Sequence, residues 1–431
     1  MSPRIVVKNA LPCFLHVFFR KLIRAFSFSV IINAKSQKIQ VVKSMLIAGG
    51  GIAGLATALA LARQGISSTV LEQGENFAEI GAGIQLGPNA LRALAALGLR
   101  EALEPQAFWP ESIVMRDALS GASLHGLTLG PSFQRRFRER YACVHRADLL
   151  KILLDACRDQ GEIRLCNASS LVSISSDAHR VTVTDSQGQQ YESHGLIGAD
   201  GLWSTVRKSL YGEQAPRFSG DIALRALIPN TVGSRNVSLW LGPQLHVVAY
   251  PVKAGNLLNI VAICKYPEGR SFRGWDEVVP EDLIKKFGGH HPLLNSLLEE
   301  VRHWSAWALH DRDPIQAWAK GRTVLLGDAA HPCLQYLAQG ACLALEDAVA
   351  IAKHVAAAKS HHPESERFNP EDVFRAFSEE RQARGARMIR TARRMGQLYH
   401  ARGFARSIRN LGMQVTPPWF SRESMAWIYE V

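Results

Sequence analysis

The sequence has no C-x-x-C pair, no apolar run of membrane-spanning length, a single G-x-G-x-x-G, and no Asp or Glu in its first 44 positions. Each shortage excludes something. Seven cysteines, at 13, 143, 157, 166, 264, 333 and 342, are odd in number and scattered. They form neither a disulfide framework nor a zinc site, and they fit reduced thiols in a cytoplasmic protein. Without a span of some twenty apolar residues, stable membrane insertion is not expected. The pairs His290–His291 and His361–His362 lack metal-ligand spacing, so no metal site is expected.

The charge is as uneven as the cysteines. Of the formal net +12, eight units sit on Arg4, Lys8, Arg20, Lys21, Arg24, Lys35, Lys38 and Lys43, leaving +4 for the other 387 residues. Basicity is therefore a property of the extension and does not mark the whole chain as a nucleic-acid binder. Residues 1–44 have three readings: translation that begins at Met45, an organelle-targeting or membrane-surface segment, or a weak signal-like stretch. At the other end Arg381, Arg384, Arg387, Arg390 and Arg393 recur every three residues. That step drifts by roughly 60° against a 3.6-residue turn, so the arginines spread round a helix as a solvated or interhelical face and do not form a groove-reading stripe.

What is present begins at Leu46. Leu46–Ala48 read as a buried strand, and Gly49, Gly51 and Gly54 follow where a helix begins. That helix runs from Ala53 to Arg63, Gly65 stops it, and Ser68–Leu71 form a second strand ending in Glu72. Strand, glycine turn, helix, strand and acid together predict a βαβ unit that binds a dinucleotide. The glycines allow the turn and the close approaches, the helix N-terminus with Ala53 in its first turn takes the pyrophosphate, and Glu72 faces a ribose. A second strand, Thr323–Leu326, ends in Gly327–Asp328, where open α/β sheets bind ligands. Between them Gly195–Gly201 carries Asp200, placed to cap the next helix. Further on, Gly340 and Ala341 open a helix whose free N–H groups can stabilise negative charge.

These motifs, in this order, resemble those of the class A FAD-dependent aromatic hydroxylases. Among the subfamilies the resemblance is closest to the 3-hydroxybenzoate 6-hydroxylases and salicylate hydroxylase-like proteins, and it covers essentially Leu46 to Tyr429. It implies an α/β fold: a Rossmann-type FAD-binding domain (45–107, 136–215 and 313–360) with an inserted β-sheet substrate domain (108–135 and 216–312) and a C-terminal helical segment (361–431). It also implies FAD contacts by Arg146, Asp200, Gly327 and Asp328, with Gly340 and Ala341 beside the flavin pyrimidine. Gln85 would face flavin and substrate, and Gln335 would lie on the substrate side. One strand departs from the pattern: Asp221 stands where a His is usual and Leu224 where a Tyr is expected. That pair would activate the substrate phenol. Asp221 is therefore a substitute base, a group favouring a nitrogen-bearing ring, or a residue facing solvent.

With one dinucleotide fingerprint, FAD has a permanent site and NADH or NADPH visits a surface cleft. The implied reaction reduces FAD with NAD(P)H and uses O2 to hydroxylate a small aromatic acid. Alternatives are a salicylate- or hydroxynicotinate-type hydroxylase, or a flavin-dependent NADH oxidase that no longer hydroxylates. The resemblance also implies a homodimer.

Overall fold

The computed structural model describes residues 44–77, 82–266, 288–360 and 368–430, with positions 275–276 and 285 between them. The acid-free extension before Ser44 and the His361–His362 pair lie outside the described residues.

The apolar stretch Ser44–Ala48 becomes a central strand because both of its faces are covered. It pairs in parallel with Ser67–Leu71 on one side and Gly195–Gly198 on the other. The six-stranded sheet runs Ala319–Lys320, Thr323–Leu325, Gly195–Gly198, Ser44–Ala48, Ser67–Leu71 and Ile163–Cys166, with only the first strand antiparallel. Small side chains let the helix Ile52–Ala62 pack tightly between this sheet and the long helix Gly340–Ser360. A three-stranded antiparallel sheet spans residues 171–193.

A second sheet of eight strands is built from Ser112–Thr128 and Arg217–Asp311, with Arg217–Pro229 and Leu257–Lys265 near its middle. Side chains alternate between its faces along each strand. Ile222, Leu224 and Ala226 enter a core with Trp240, Leu294 and Trp304. Ala223, Val261 and Ile263 enter another with Leu334, Tyr336, Met388 and Tyr399, so this second face meets the cofactor side of the molecule.

Of the five C-terminal arginines three are tied into the fold, while Arg387 and Arg390 are exposed. On the helix Pro370–Tyr399, Arg381 donates to Glu346 and Asp347, Arg384 to Glu346, and Arg393 to Asp311. Arg387 lies 4.0 Å above the Trp427 ring. Arg381, Arg384 and Arg393 thus hold the helix Pro370–Tyr399 to the helix Gly340–Ser360 and to the eight-stranded sheet, so the run does not form one free basic stripe of the kind a nucleic-acid groove would need.

Candidate active site

The first glycine turn is built by backbone. Gly49 adopts φ +101°, and its N–H donates to the Leu71 carbonyl over 2.8 Å. A Cβ at Gly49 would lie 2.4 Å from the Ala199 oxygen, and one at Gly54 only 1.9 Å from the Gly49 oxygen. Gly51 caps the helix with no side chain, so the first-turn N–H groups stay open towards the cleft. At Gly327, φ is +57° and a Cβ would lie 3.0 Å from that of Ala53, so the two fingerprints touch. The residues present thus form a cradle of the kind a dinucleotide pyrophosphate occupies, and they fit FAD. Glu72 is fixed by two backbone donors, the N–H groups of Gly50 (2.7 Å) and Gly74 (2.8 Å). A carboxylate has about four acceptor sites, so two remain for ribose hydroxyls.

Asp200 does not cap the helix alone. Ser204 is the N-cap of Thr205–Tyr211, accepting from the Arg207 N–H, while Asp200 sits behind it and accepts from the Ser204 hydroxyl (2.5 Å) and the Val206 N–H (3.0 Å). Arg207 then donates to the Ala329 and Ala330 carbonyls, tying this fingerprint to the Gly327–Asp328 turn. Asp347, on the helix Gly340–Ser360, accepts from the Gly327 N–H (3.0 Å) and from His331 (2.5 Å). Burial would raise its pKa, but His331, Arg381 and that N–H hold it at about 2.

Asp328 opens onto the cleft, and the protein enclosing it raises its pKa, with His331 and Arg146 opposing. Burial lowers the Arg146 guanidinium, and Asp328 is the charge that opposes the shift. These two predicted cofactor ligands, 182 positions apart, therefore act electrostatically on each other. Gly340 and Ala341 start their helix after Ala338 turns the chain at φ +52°. The buried Gln339 accepts from Asn89 over 2.9 Å, which fixes that entry against the helix Pro88–Ala96.

Gln85 lies on the strand Gly83–Leu86, which pairs with Ala142–His145, and its side-chain carbonyl accepts from the Tyr141 hydroxyl at 2.7 Å. Gln335 opens the short turn Gln335–Leu337, and its side-chain carbonyl accepts from Arg225 Nη2 at 2.8 Å. Asp221 is 4% exposed, so it does not face solvent. Its carboxylate accepts from the Tyr336 hydroxyl (2.7 Å) and pairs with Lys265 (2.9 Å), with His400 Nδ1 at 3.7 Å. His400 Nε2 in turn lies 2.8 Å from His246 Nδ1. The expected substitute base is thus already engaged on both oxygens. Leu224 does not accompany it, because three residues along a strand reverse the face: Leu224 joins the opposite core.

The residue that does share the Asp221 face is Arg225, which the motifs of the sequence do not single out. Period-two counting from Asp221 is the signal that finds it. Its guanidinium lies 5.3 Å from the Trp307 ring, and burial, with Arg146 nearby, lowers its pKa to about 10. Tyr336 is a second buried residue here, the donor that holds Asp221. Burial and then Asp221 push its phenol well up, so it remains a donor at any working pH.

Residues 43–392 match the family model described as the FAD binding domain. A 3-hydroxybenzoate 6-hydroxylase of Polaromonas naphthalenivorans (strain CJ2) is 38% identical over 391 residues, 89% of this chain and 95% of that one. A 3-amino-4-hydroxybenzoate 2-monooxygenase of Streptomyces platensis is 35% identical over 395 residues, 89% of this chain and 94% of the other. Among solved structures, Klebsiella pneumoniae HpxO complexed with FAD and uric acid superposes with a TM-score of 0.79 at 24% identity, covering 90% of this chain and 97% of that one.

Proposed function

The chain belongs to the FAD-binding-domain family of flavoprotein monooxygenases, and we propose that its substrate is a small aromatic acid, hydroxylated with NAD(P)H and O2 in the manner of a 3-hydroxybenzoate 6-hydroxylase. The observation that carries the reading is the meeting of two differently made surfaces. A backbone cradle is built at Gly49–Gly54 and Gly327–Asp328, and a polar group of Gln85, Gln335 and Arg225 adjoins the helix that Gly340 opens. Cys342 of that helix donates to the Gln85 main-chain carbonyl, and Gln335, bonded to Arg225, lies on the turn leading into it. FAD, when bound, would relay the reducing equivalents of NAD(P)H to O2 and provide the site of oxygen activation. The chain's own residues bind, orient and exclude water. Gly340 and Ala341 direct N–H groups into the cleft, Gln85 and Gln335 orient the ring, and the buried aromatic residues Tyr250 and Tyr336 keep solvent out.

For the visiting nucleotide, a cavity of about 360 Å³ adjoins the Asp200 fingerprint, lined by Trp203, Arg207, Lys208, His310 and Arg312 among others. Its cations suit a pyrophosphate and its exposed indole suits a flat ring. The homodimer and the cytoplasmic location belong to the same proposal. Phe404, Ile408, Leu411 and Val415 give the helix Gly403–Val415 an exposed apolar stripe, and the six described cysteines are free thiols. No helix among the described residues is long and apolar enough to cross a membrane.

A non-hydroxylating NADH oxidase is supported by one feature, the engagement of Asp221 with Tyr336 and Lys265. The two readings separate in one experiment. NADH and NADPH oxidation by the flavin-loaded protein is followed with oxygen uptake and product mass across hydroxybenzoates, salicylate and hydroxynicotinates. A compound that accelerates oxidation and gains one oxygen atom sustains the hydroxylase. Acceleration that yields only hydrogen peroxide with every compound sustains the oxidase.

A further inference from the structure

Resting on the aromatic-acid reading above, we infer that Arg225 and Gln335 together form the anchor for the substrate's carboxylate, a specificity-determining pair for ring acids over neutral rings. Arg225 has five N–H donors to place. One is spent on the Gln335 carbonyl, while its Nε is buried with no hydrogen-bond partner. Among the described residues no carboxylate pairs with it. Burial lowers its pKa to about 10, and the like charge of Arg146 acts in the same direction.

A half-buried guanidinium whose Nε is buried and unpartnered, with no carboxylate paired to it, is costly to hold, and the cost is met when an anion binds. Gln335 repeats the pattern, since its Nε2 is also buried without a partner. The Nη2–Oε1 hydrogen bond holds the two side chains together, so the two unspent donors belong to bonded neighbours. A carboxylate is an acceptor-only group with two oxygens, matched to a pair of donors of this kind.

The placement suits a substrate subsite. Arg225 lies near the middle of the eight-stranded sheet, and Gln335 lies on the turn that leads to the Gly340 helix start, where Cys342 donates to the Gln85 main-chain carbonyl. The anchor therefore sits between substrate wall and cofactor cradle.

The ring hydroxyl is the other oxygen that could sit here, and the chemistry favours the carboxylate. A carboxylate is ionised at neutral pH with no help, whereas a phenol needs a base. Asp221, the carboxylate four residues away on the same strand face, is held by Tyr336 and Lys265.

The test reads binding by perturbation of the flavin spectrum, using benzoate and its neutral isostere benzamide on the flavin-loaded protein. A charge-assisted anchor predicts a preference for benzoate of about 10- to 100-fold in the wild type. Arg225→Met should bring the two ligands to near parity and raise the KM of the hydroxylated acid far more than it lowers kcat. Arg225→Lys keeps the charge, loses the fork and should fall between, and it serves if Arg225→Met does not retain FAD. A benzoate preference that survives in either variant at the wild-type level overturns the anchor, as does a wild type that binds both ligands equally while hydroxylating acids. Should no aromatic acid gain oxygen while Arg225→Met still abolishes the benzoate preference, the anchor stands and the hydroxylase reading falls alone.

Discussion

The cofactor cradle and the substrate wall are made of different material. The cradle is backbone: carbonyls and N–H groups brought close at Gly49, Gly54 and Gly327, with side chains such as Glu72 and Asp347 serving to hold main chain in place. The wall is side chain, with Arg225, Gln335, Asp221, Tyr336, Lys265, His400 and His246 drawn from separate stretches of sequence. A backbone site needs the absence of a Cβ at fixed spacing, which leaves little freedom in sequence. A side-chain site can be rebuilt residue by residue, and that is where this chain departs from the family pattern.

The sharpest way to break the contrast is to add one carbon to the cradle. Gly54→Ala would place a Cβ 1.9 Å from the Gly49 oxygen, a contact with backbone that cannot move aside. We expect this variant to purify without FAD or to fail to fold. Gly161→Ala, whose Cβ would meet nothing within 4 Å, should retain full flavin. Flavin absorbance per chain decides it, and a Gly54→Ala protein with a full complement of FAD would show that the cradle tolerates what its geometry forbids.

Much of the cradle is legible in the amino-acid sequence, because the glycine spacing, the strand ahead of it and the acid after it are local. Asp200 and Asp328 are legible as positions. Their partners Ser204 and Arg146 are only half so, since 182 residues separate Arg146 from Asp328. On the wall, Gln335 follows from the family resemblance, but the same resemblance points to Leu224 and passes over Arg225. Two adjacent strand residues differ by a whole face of the sheet, and an aligned slot read one residue off exchanges substrate wall for hydrophobic core. The arginine run is ambiguous in sequence because its partners, Glu346, Asp347 and Asp311, lie on other elements.

The wall should also respond to pH where the cradle's main-chain contacts do not. His246 and His400 are buried against each other, with Asp221, Lys265 and Arg409 acting on His400. Burial lowers both. For His400 the folded pKa falls from 6.5 to about 4, with Asp221 opposing. Between those values the unfolded chain binds a proton that the folded pair refuses. The His400 contribution to stability is therefore full above the unfolded pKa, declines as pH falls from 6.5 towards 4, and levels off below. At 1.36 kcal/mol per pKa unit the loss is about 3 kcal/mol. Urea midpoints across that range should show it, and His400→Gln should flatten the slope. An unchanged slope in that variant would assign the decline to other groups.

The smallest effect separates the two faces of one strand. Leu224 is fully buried with Ile222, Trp240 and Leu294, on the side of the sheet away from Asp221 and Arg225. Leu224→Val removes one methylene from that core, which costs about 1 kcal/mol of stability and leaves the substrate wall untouched. We expect a lower urea midpoint with KM and the benzoate-over-benzamide preference at wild-type values. Arg225→Met, one position along, should do the reverse, changing ligand preference with little loss in midpoint. If Leu224→Val altered the preference instead, the strand would be turned over relative to this register, and Leu224 would belong to the substrate wall after all.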